Sequence, residues 1–388
     1  MSGIKSLARI GTGDIIGNAI SAIFWFYLAI LITPEGFGEL HYLLSIVGII
    51  TFVSLVGSQN TIIVYTAKKI PIQSTFNFIS LIGGILGFVV LFFMFNRIDI
   101  GFLVLGYIIN NLVIGELLGK KEFNHYLKYI LIQKILTPIL GLGLFFGFGI
   151  EGVIYGLALS YIAFSFRIVR SFRENRINFS LLSKRKGFIF NNYLSTLTGT
   201  FHGQVDKLII MPIIGASVLG NYSLSLQIIN IMTIVTVIFY KYIIPHESSG
   251  HNVIKIKKLL ILSNIGLTFI GFFIVPLILP TIFPKYVDVI DIIRIMSLSL
   301  VPMSIAKIYT SKFLALEKSR FILIGLGISL SIMIPTMIVF GVWYGVTGIA
   351  ISYVLASVTQ AVYYVIMSKK WDKENHIKIN RLFSNAKN

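Results

Sequence analysis

The chain has 388 residues, of which 56% are hydrophobic and 12% are charged, and it carries a formal net charge of +18. A soluble domain usually has about 25% charged residues, so this composition excludes an ordinary soluble enzyme. The absence of cysteine excludes disulfide bonds, thiol nucleophiles and Cys-ligated metal centres. The histidines show no metal-ligand spacing and no phosphate-binding Gly-Lys-Ser/Thr loop is present, so we expect neither a cofactor nor ATP hydrolysis.

Apolar stretches alternate with short polar breaks along nearly the whole chain. Each stretch has about the 17–25 residues that cross a bilayer as a helix, which predicts an all-α membrane protein with twelve transmembrane helices. No break is long enough to form a domain of its own. The predicted spans are residues 12–33, 41–66, 74–96, 100–118, 126–148, 150–169, 188–213, 221–244, 257–280, 287–311, 320–341 and 346–368.

The basic residues occupy every second break. Lysines and arginines follow spans 2, 4, 6, 8 and 10 and lie near both chain ends, whereas the opposite breaks hold only Arg97 and Lys285. This is the positive-inside pattern, so we expect both termini in the cytoplasm. The same positions explain the net charge and suit anionic lipid headgroups, so membrane lipids are expected partners and nucleic acid is not.

The spans divide into two halves of six. We predict an N-terminal six-helix bundle over residues 1–175, a cytoplasmic linker over 176–187, and a C-terminal six-helix bundle with a short basic tail over 188–388.

Two glycine-containing motifs recur at corresponding places in the halves. Residues 34–40 correspond to 215–222, and residues 149–153 correspond to 345–349. Since six is an even number, both halves start on the same side, which predicts parallel repeats related by a pseudo-two-fold axis along the membrane normal. The alternative is that short glycine-rich turns recur in any helical bundle.

Eight ionisable residues fall inside the predicted spans. Each costs at least about 2–3 kcal/mol on insertion scales and therefore needs a reason. Five are basic and three are acidic, which leaves a net charge of +2 within the membrane. The eight are Asp14, Glu116, Lys134, Asp206, Lys207, Lys241, Arg294 and Lys307.

The basic residues among them invite different interpretations. Lys134 and Arg294 lie well inside their spans, so we predict that they line a hydrated cavity. Arg294 could instead pair with Asp291, three residues earlier on the same helical face. Lys241 and Lys307 lie near the cytoplasmic ends of their spans, where long side chains can snorkel to the interface.

The acidic residues have candidate partners. Glu116 and Lys134 both lie in the inner half of adjacent spans and could pair with each other. Asp14 and Glu116 are candidates for a coupling site or a structural ion pair. Asp206 could neutralise Lys207, its neighbour in the chain.

Span 7 carries a polar stripe. Asn191, Ser195, Thr198, His202 and Asp206 recur at steps of three or four residues, which stacks them on one face of a helix. A polar stripe on an apolar helix faces protein or water rather than acyl chains. Ordinary interhelical hydrogen bonding is the alternative for any single member of the stripe.

Eight motifs, taken in their order along the chain, carry a resemblance to a known family. They are residues 12–18, 36–40, 205–210, 219–223, 240–245, 283–286, 314–318 and 345–348. Together they resemble polysaccharide flippases, the O-antigen (Wzx-type) branch of the multidrug/oligosaccharidyl-lipid/polysaccharide exporter superfamily. Each motif is mostly glycine and apolar residues, so their order and span placement carry the resemblance.

The resemblance implies two six-helix bundles in a V around a central cavity, in a bacterial inner membrane. It implies alternating-access transport of undecaprenyl-pyrophosphate-linked oligosaccharide, the O-antigen repeat unit, to the periplasmic leaflet. It also implies H+ or Na+ as a coupling ion and a polysaccharide polymerase as a partner. Cavity cations would meet the pyrophosphate and polar residues the sugar. The predicted substrate-binding residues are Lys134, Asp206, Lys207, Arg294, Lys241, Lys307 and His202.

Three alternatives stay open. A drug–cation antiporter of the multidrug and toxin extrusion group would have the same fold, although its substrates favour a cavity of net negative charge. A membrane glycosyltransferase or polymerase would want a sizeable external loop, which this chain lacks. A peptidoglycan-precursor flippase is a near relative that usually has more than twelve spans.

Overall fold

The computed structural model describes residues 2–183, 185–249, 252–316 and 318–385, with the side chains of 2–10, 191, 195, 245, 248 and 374–385 excepted. Every regular element in these residues is helical. A short π-helical turn, Ile270–Ile274, joins α12 to α13. The α-helices are α1 (Ser2–Leu31), α2 (Pro34–Leu55), α3 (Ser58–Ala67), α4 (Gln73–Phe95), α5 (Ile98–Gly119), α6 (Phe123–Ile162), α7 (Ser165–Glu174), α8 (Ser180–Ser183), α9 (Lys186–Ile213), α10 (Ala216–Met232), α11 (Ile234–Ser248), α12 (Ile254–Phe269), α13 (Val275–Ile282), α14 (Val289–Ser297), α15 (Leu300–Ala315) and α16 (Ser319–Asn385).

The helices have the length and composition of membrane spans. Within the described residues, seven are long and apolar enough to cross a bilayer, or nine if each of two bent pairs forms one span. Helices suit this setting because every backbone polar group is satisfied within the segment. The prediction of an all-α, multi-pass membrane protein is therefore confirmed, whereas the number of twelve spans stays a prediction.

Two long helices are interrupted at equivalent glycines. Gly149 in α6 (φ 59°, ψ −138°) and Gly345 in α16 (φ 58°, ψ −132°) share one backbone conformation. That conformation is essentially restricted to glycine, since a Cβ would be strained there. The corresponding motifs 149–153 and 345–349 thus share a local geometry as well as a sequence pattern.

The segments on either side of each glycine pack against one another. In α6, the hydroxyl oxygens of Thr137 and Ser160 lie 3.1 Å apart. In α16, the hydroxyl of Tyr364 donates a hydrogen bond of 2.9 Å to the carbonyl of Ile322. Each pair lies at nearly equal distances in sequence from its glycine, so α6 and α16 are antiparallel helical hairpins.

Three predicted spans are broken rather than straight. Predicted span 2 consists of α2 and α3, which are separated by Val56 (φ 49°) and Gly57 (φ 71°) in left-handed conformations. The pairs α10–α11 and α14–α15 bend by 44° and 42°. Apolar composition continues through all three breaks, which is why a hydropathy pattern predicted continuous helices.

The chain forms two compact units. The first comprises residues 1–32 and 39–208, and the second comprises 33–38 and 209–388. The predicted linker, 176–187, therefore lies inside the first unit. The unit boundaries fall between α1 and α2, within α2 and within α9. The division of spans into six and six stays a prediction.

Each unit has its own packing core. In the first unit, α5 packs against α3, α4 and α6, and α1 packs against α6. The amphipathic α7 docks on α4, where Ser74 donates to the carbonyl of Ser171 (2.7 Å) and Asn77 donates to its hydroxyl (2.6 Å). In the second unit, α15 packs against α11, α12 and α16, and α14 packs against α10 and α16.

Candidate functional site

Lys134 stands on α6 beside a carboxylate that is already engaged. The hydroxyl of Tyr126 donates a hydrogen bond of 2.8 Å to Asp14 on α1. The stem of Lys134 packs at Gly17, where a Cβ would lie 3.1 Å from the lysine Cγ. Among the described residues, no carboxylate lies within 4.0 Å of the Lys134 ammonium group. Asp14 acts on this charge only from a greater distance. Lys134 is thus an intramembrane cation without a contact ion pair.

Glu116 belongs to a separate network, so its predicted pairing with Lys134 is wrong. It is almost fully buried, and its carboxylate lies 2.9 Å from the Lys120 ammonium and 3.3 Å from the Arg167 guanidinium. Glu116 lies in the last turn of α5, one helical turn before Lys120. The docked helix α7 places Arg167 next to the same carboxylate. Lys120 also contacts Glu174 at 3.0 Å.

The environment of Lys120 keeps it charged. Burial acts to lower the pKa of Lys120, but its hydrogen bonds to Glu116 and Glu174 outweigh burial and raise the pKa above the ordinary value. This network ties α5 to α7 and, through the pair of Arg167 and Glu122 at 3.0 Å, to the start of α6, but it does not include Lys134. We assign Glu116 a structural role.

Asp206 and Lys207 neutralise one another on α9. The Lys207 ammonium lies 3.1 Å from Asp206 Oδ1 and donates a second hydrogen bond of 3.0 Å to the carbonyl of Gly203. Asp206 Oδ1 also accepts the backbone N–H of Lys207 at 2.8 Å. The side chains are only 7% and 13% exposed, respectively. The pair therefore presents little net charge, as the neutralisation alternative predicted.

Two aromatic residues that the sequence reasoning missed lie at the same level. His41 is seven residues from the start of α2 and Asp206 is seven from the end of α9, each roughly 10 Å from its helix end. The rings of Trp25 and His41 lie 5.2 Å apart, and the charge of Lys207 acts on His41. The sequence signal that could have identified this pair was the presence of an aromatic residue with a polar ring nitrogen at similar depth in each of two apolar spans, Trp25 in α1 and His41 in α2.

The polar stripe of α9 is only partly visible. Asn191 and Ser195 lie outside the described side chains. Thr198 is used within α9, donating to the carbonyl of Leu194 at 2.9 Å. His202 is half-buried one turn before Asp206. Asn192, one position from the predicted stripe, forms hydrogen bonds with Gly57 and Thr61 at the start of α3.

The second unit holds the other three predicted cations. The Lys307 ammonium lies 5.2 Å from the centroid of the Tyr240 ring, and Lys241 follows that tyrosine on α11. Among the described residues, neither lysine pairs with a carboxylate. Arg294 lies 3.6 Å from Asp291, with both side chains largely exposed, so the predicted alternative of an i,i+3 pair is present in the structure.

Comparison with known proteins identifies the fold. No sequence profile of a known family matches the chain, and no curated protein matches it. Solved structures do match, and they show that the chain has the fold of transporters of the MOP superfamily. The resemblance derived from sequence motifs is thus confirmed at the level of the superfamily fold, whereas the O-antigen branch stays a prediction.

Three structures illustrate the similarity. An inward-facing MATE family multidrug resistance transporter has a TM-score of 0.71 at 15% identity, covering 94% of this chain and 97% of that one. The lipid II flippase MurJ in an inward closed conformation has a TM-score of 0.67 at 17% identity, covering 91% and 87%. A MOP superfamily transporter from Pyrococcus furiosus, described by the reverse polarity of its binding pocket, has a TM-score of 0.61 at 14% identity, covering 94% and 95%. At such identities the shared property is the fold.

Proposed function

We propose that this protein is a transporter that moves undecaprenyl-pyrophosphate-linked oligosaccharide across a bacterial inner membrane. The substrate would be an O-antigen repeat unit, flipped from the cytoplasmic to the periplasmic leaflet by alternating access. One observation carries the proposal: three intramembrane lysines, Lys134, Lys241 and Lys307, have no carboxylate in contact among the described residues. A lipid II flippase shares the fold, so this architecture can serve lipid-linked substrates.

Unpaired cations in a membrane favour an anionic substrate. Each ionisable group there costs at least about 2–3 kcal/mol on insertion scales, and an opposite charge is the usual compensation. Asp206 and Glu116 are engaged by other cations, and Asp14 accepts a hydrogen bond from Tyr126. The pyrophosphate of the substrate would supply the charge that the three lysines lack.

The paired and unpaired cations lie at different ends of their helices. Lys241 and Lys307 are seven and eight residues from the ends of α11 and α15, on the side that the positive-inside pattern assigns to the cytoplasm. Lys207 and Arg294 lie toward the opposite side and are each next to an aspartate. The substrate would therefore load where cations are free and leave where cations are already neutralised.

The remaining predicted residues receive roles in the same scheme. Lys207 and Arg294 would contact the pyrophosphate late in transport, and Asp206 and His202 would contact sugar hydroxyls. Asp14, held by Tyr126, would be the site for H+ or Na+ coupling. Twelve spans in two six-helix bundles with a pseudo-two-fold axis are part of the proposal, supported by the matched glycines of α6 and α16.

A flipping assay tests the proposal. The protein is reconstituted in liposomes with a fluorescent undecaprenyl-pyrophosphate oligosaccharide, and a membrane-impermeant reductant reports the fraction in the outer leaflet. The variant Lys134→Ala/Lys241→Ala/Lys307→Ala should flip at least about tenfold more slowly, the loss expected for a hydrogen bond to a charged group. The matching Lys→Arg variant should retain most activity. The control replaces Lys369 and Lys370, two exposed lysines of α16, by alanine.

A drug–cation antiporter is the second candidate because MATE transporters share the fold. Efflux of an organic cation from cells that express the chain would favour it. Parent-like flipping by the triple alanine variant would contradict the role of the three lysines.

A further inference from the structure

Two cations share one aromatic ring at the end of α3. The Lys68 ammonium lies 5.9 Å from the centroid of the Tyr65 ring, and the Arg185 guanidinium carbon lies 5.1 Å from it. Phe188, from the first turn of α9, packs edge-on against the same ring at 5.5 Å. Tyr65 is buried, whereas Lys68 is exposed. We call Tyr65, Lys68, Arg185 and Phe188 the ring cluster.

The ring cluster lacks a counter-charge. Among the described residues, no carboxylate lies within 4.0 Å of Lys68 or Arg185, nor of their exposed neighbours Lys69 and Lys186. Three other basic residues of the first unit, Lys120, Arg167 and Arg170, each pair with a glutamate. The two positive charges of the ring cluster are therefore not compensated by a contacting carboxylate among the described residues.

A broken helix sets the direction of α3. Val56, a β-branched residue, is held in the left-handed region (φ 49°), where such residues are strained. Asn192 of α9 donates to the carbonyl of Gly57 (2.9 Å), which also accepts from the hydroxyl of Thr61, and to that hydroxyl itself (3.2 Å). Thr61, Tyr65 and Lys68 recur at helical spacing and therefore lie on one face of α3. The hydrogen bonds of Asn192 hold this face against the start of α9. Strain of this kind is often retained where a site must be aimed.

The two side chains suit a phosphate group. The guanidinium is a planar fork that binds phosphate oxygens in pairs, and the lysine adds a mobile point charge. Among the described residues, the guanidinium of Arg185 forms one hydrogen bond, to the carbonyl of Leu181 (3.0 Å), so other donors of the fork are left for a ligand. The ring holds both cations close together without neutralising either.

We infer that the ring cluster is a capture site for the pyrophosphate headgroup of an isoprenyl-linked substrate. It lies at the basic end of the first unit and would bind the headgroup before the headgroup reaches Lys134. The inference rests on the proposed function, which supplies the substrate class. Inorganic pyrophosphate and anionic phospholipids share the ligand chemistry, so the experiment must separate them.

Binding measurements on the whole protein in nanodiscs test the site. Affinity for geranylgeranyl pyrophosphate is measured in neutral phosphatidylcholine nanodiscs, with geranylgeraniol as the uncharged control. Lys68→Ala/Arg185→Ala should raise Kd about tenfold or more, the loss typical of a hydrogen bond to a charged group. Arg185→Lys should produce a smaller rise because the paired geometry is lost but the charge is kept. Lys369→Ala/Lys370→Ala should leave Kd unchanged.

Several outcomes would overturn the inference. A parent-like Kd for the double variant would remove the site, and the proposed function would stand if the Lys134/Lys241/Lys307 variant still loses flipping. Equal affinity for inorganic pyrophosphate would exclude a lipid-linked ligand. Equal competition from phosphatidylglycerol would assign the cluster to ordinary membrane lipid. Circular dichroism and gel filtration check that the variants fold.

Discussion

Replacement of Gly220 by alanine should destabilise the second unit, because this glycine packs directly on another helix backbone. A Cβ at Gly220 would lie 2.6 Å from the carbonyl carbon of Pro34 and would overlap its oxygen. The contact is reciprocal, since a Cβ at Gly38 would overlap the carbonyl oxygen of Ala216 and lie 2.8 Å from the amide nitrogen of Gly220. The first turns of α2 and α10 therefore touch backbone to backbone within the second unit.

The expected magnitude follows from this geometry. An ordinary Cβ contact lies at 3.4–4 Å, so the two turns must separate by roughly 1 Å, and backbone atoms cannot rotate away. Overpacking of this kind costs about 1–3 kcal/mol. Alanine recovers up to about 1 kcal/mol of helix propensity, so we expect a net loss of roughly 1–2 kcal/mol. Gly266→Ala in α12 is the matched control, because nothing lies within 4 Å of its Cβ. That control should stabilise by about 0.5–1 kcal/mol.

Thermal unfolding in detergent, followed by tryptophan fluorescence at one scan rate, measures both effects. The variants are made in a protein that also carries Trp25→Phe. The remaining tryptophans, Trp343 and Trp371, both belong to the second unit, so the fluorescence reports unfolding of that unit. A fall in Tm of about 2–4 °C per kcal/mol is expected for a unit of this size. Adding Gly38→Ala should change little further, because separation of the two turns relieves both contacts. A Gly220→Ala protein that is as stable as the Gly266→Ala control would refute the reasoning.

Four further substitutions give distinct expectations. Gly149→Ala should cost about 1–3 kcal/mol because its backbone conformation strains any Cβ, whereas Gly147→Ala, with open space around it, should be neutral or stabilising; both are read from Tm. Glu116→Ala should lower the free energy of unfolding by about 1–2 kcal/mol. The loss is limited because Lys120 still pairs with Glu174 and Arg167 still pairs with Glu122, and Glu116→Gln should restore part of it. Asn192→Ala should cost about 1–2 kcal/mol and speed amide hydrogen exchange in α3, while exchange in α5 should stay unchanged. Asp206→Asn should free the charge of the neighbouring lysine, so isoprenyl pyrophosphate should bind more tightly and flip more slowly; an unchanged Kd would contradict the neutralisation.

Apolar periodicity predicted where the chain crosses a membrane but not where its helices break. Between Leu55 and Ser58 the residues stay small or apolar, so hydropathy continues while the backbone turns. The turn contains a left-handed Val56, and Asn192 of α9 donates a hydrogen bond to the carbonyl of the next residue, Gly57. Such a tertiary contact leaves no trace in a local window. The motifs around Gly149 and Gly345 were more informative, since glycine is nearly the only residue that fits their conformation.

Depth along a helix assigned one partner of the predicted intramembrane residues wrongly. Glu116 and Lys134 have similar predicted depths, yet Glu116 faces the docked α7, whose Arg167 comes from a break between predicted spans. Helical spacing was a better guide for Arg294, because an i,i+3 pair needs no knowledge of neighbouring helices. Partners on the same helix can be predicted from sequence, whereas partners on other helices require the packing.

The ion pairs of the intramembrane residues change the interpretation of their net charge of +2. The sequence sum of +2 treated all eight intramembrane charges alike, but the cations differ in what surrounds them. Lys207 and Arg294 each have an adjacent aspartate, while Lys241 and Lys307 have none among the described residues. A uniformly positive path would hold a pyrophosphate tightly everywhere, and tight binding in every state blocks turnover. Under the proposed function, free cations would bind an anionic headgroup first and neutralised cations would let it leave, because a ligand shifts an equilibrium only through its different affinities for the states.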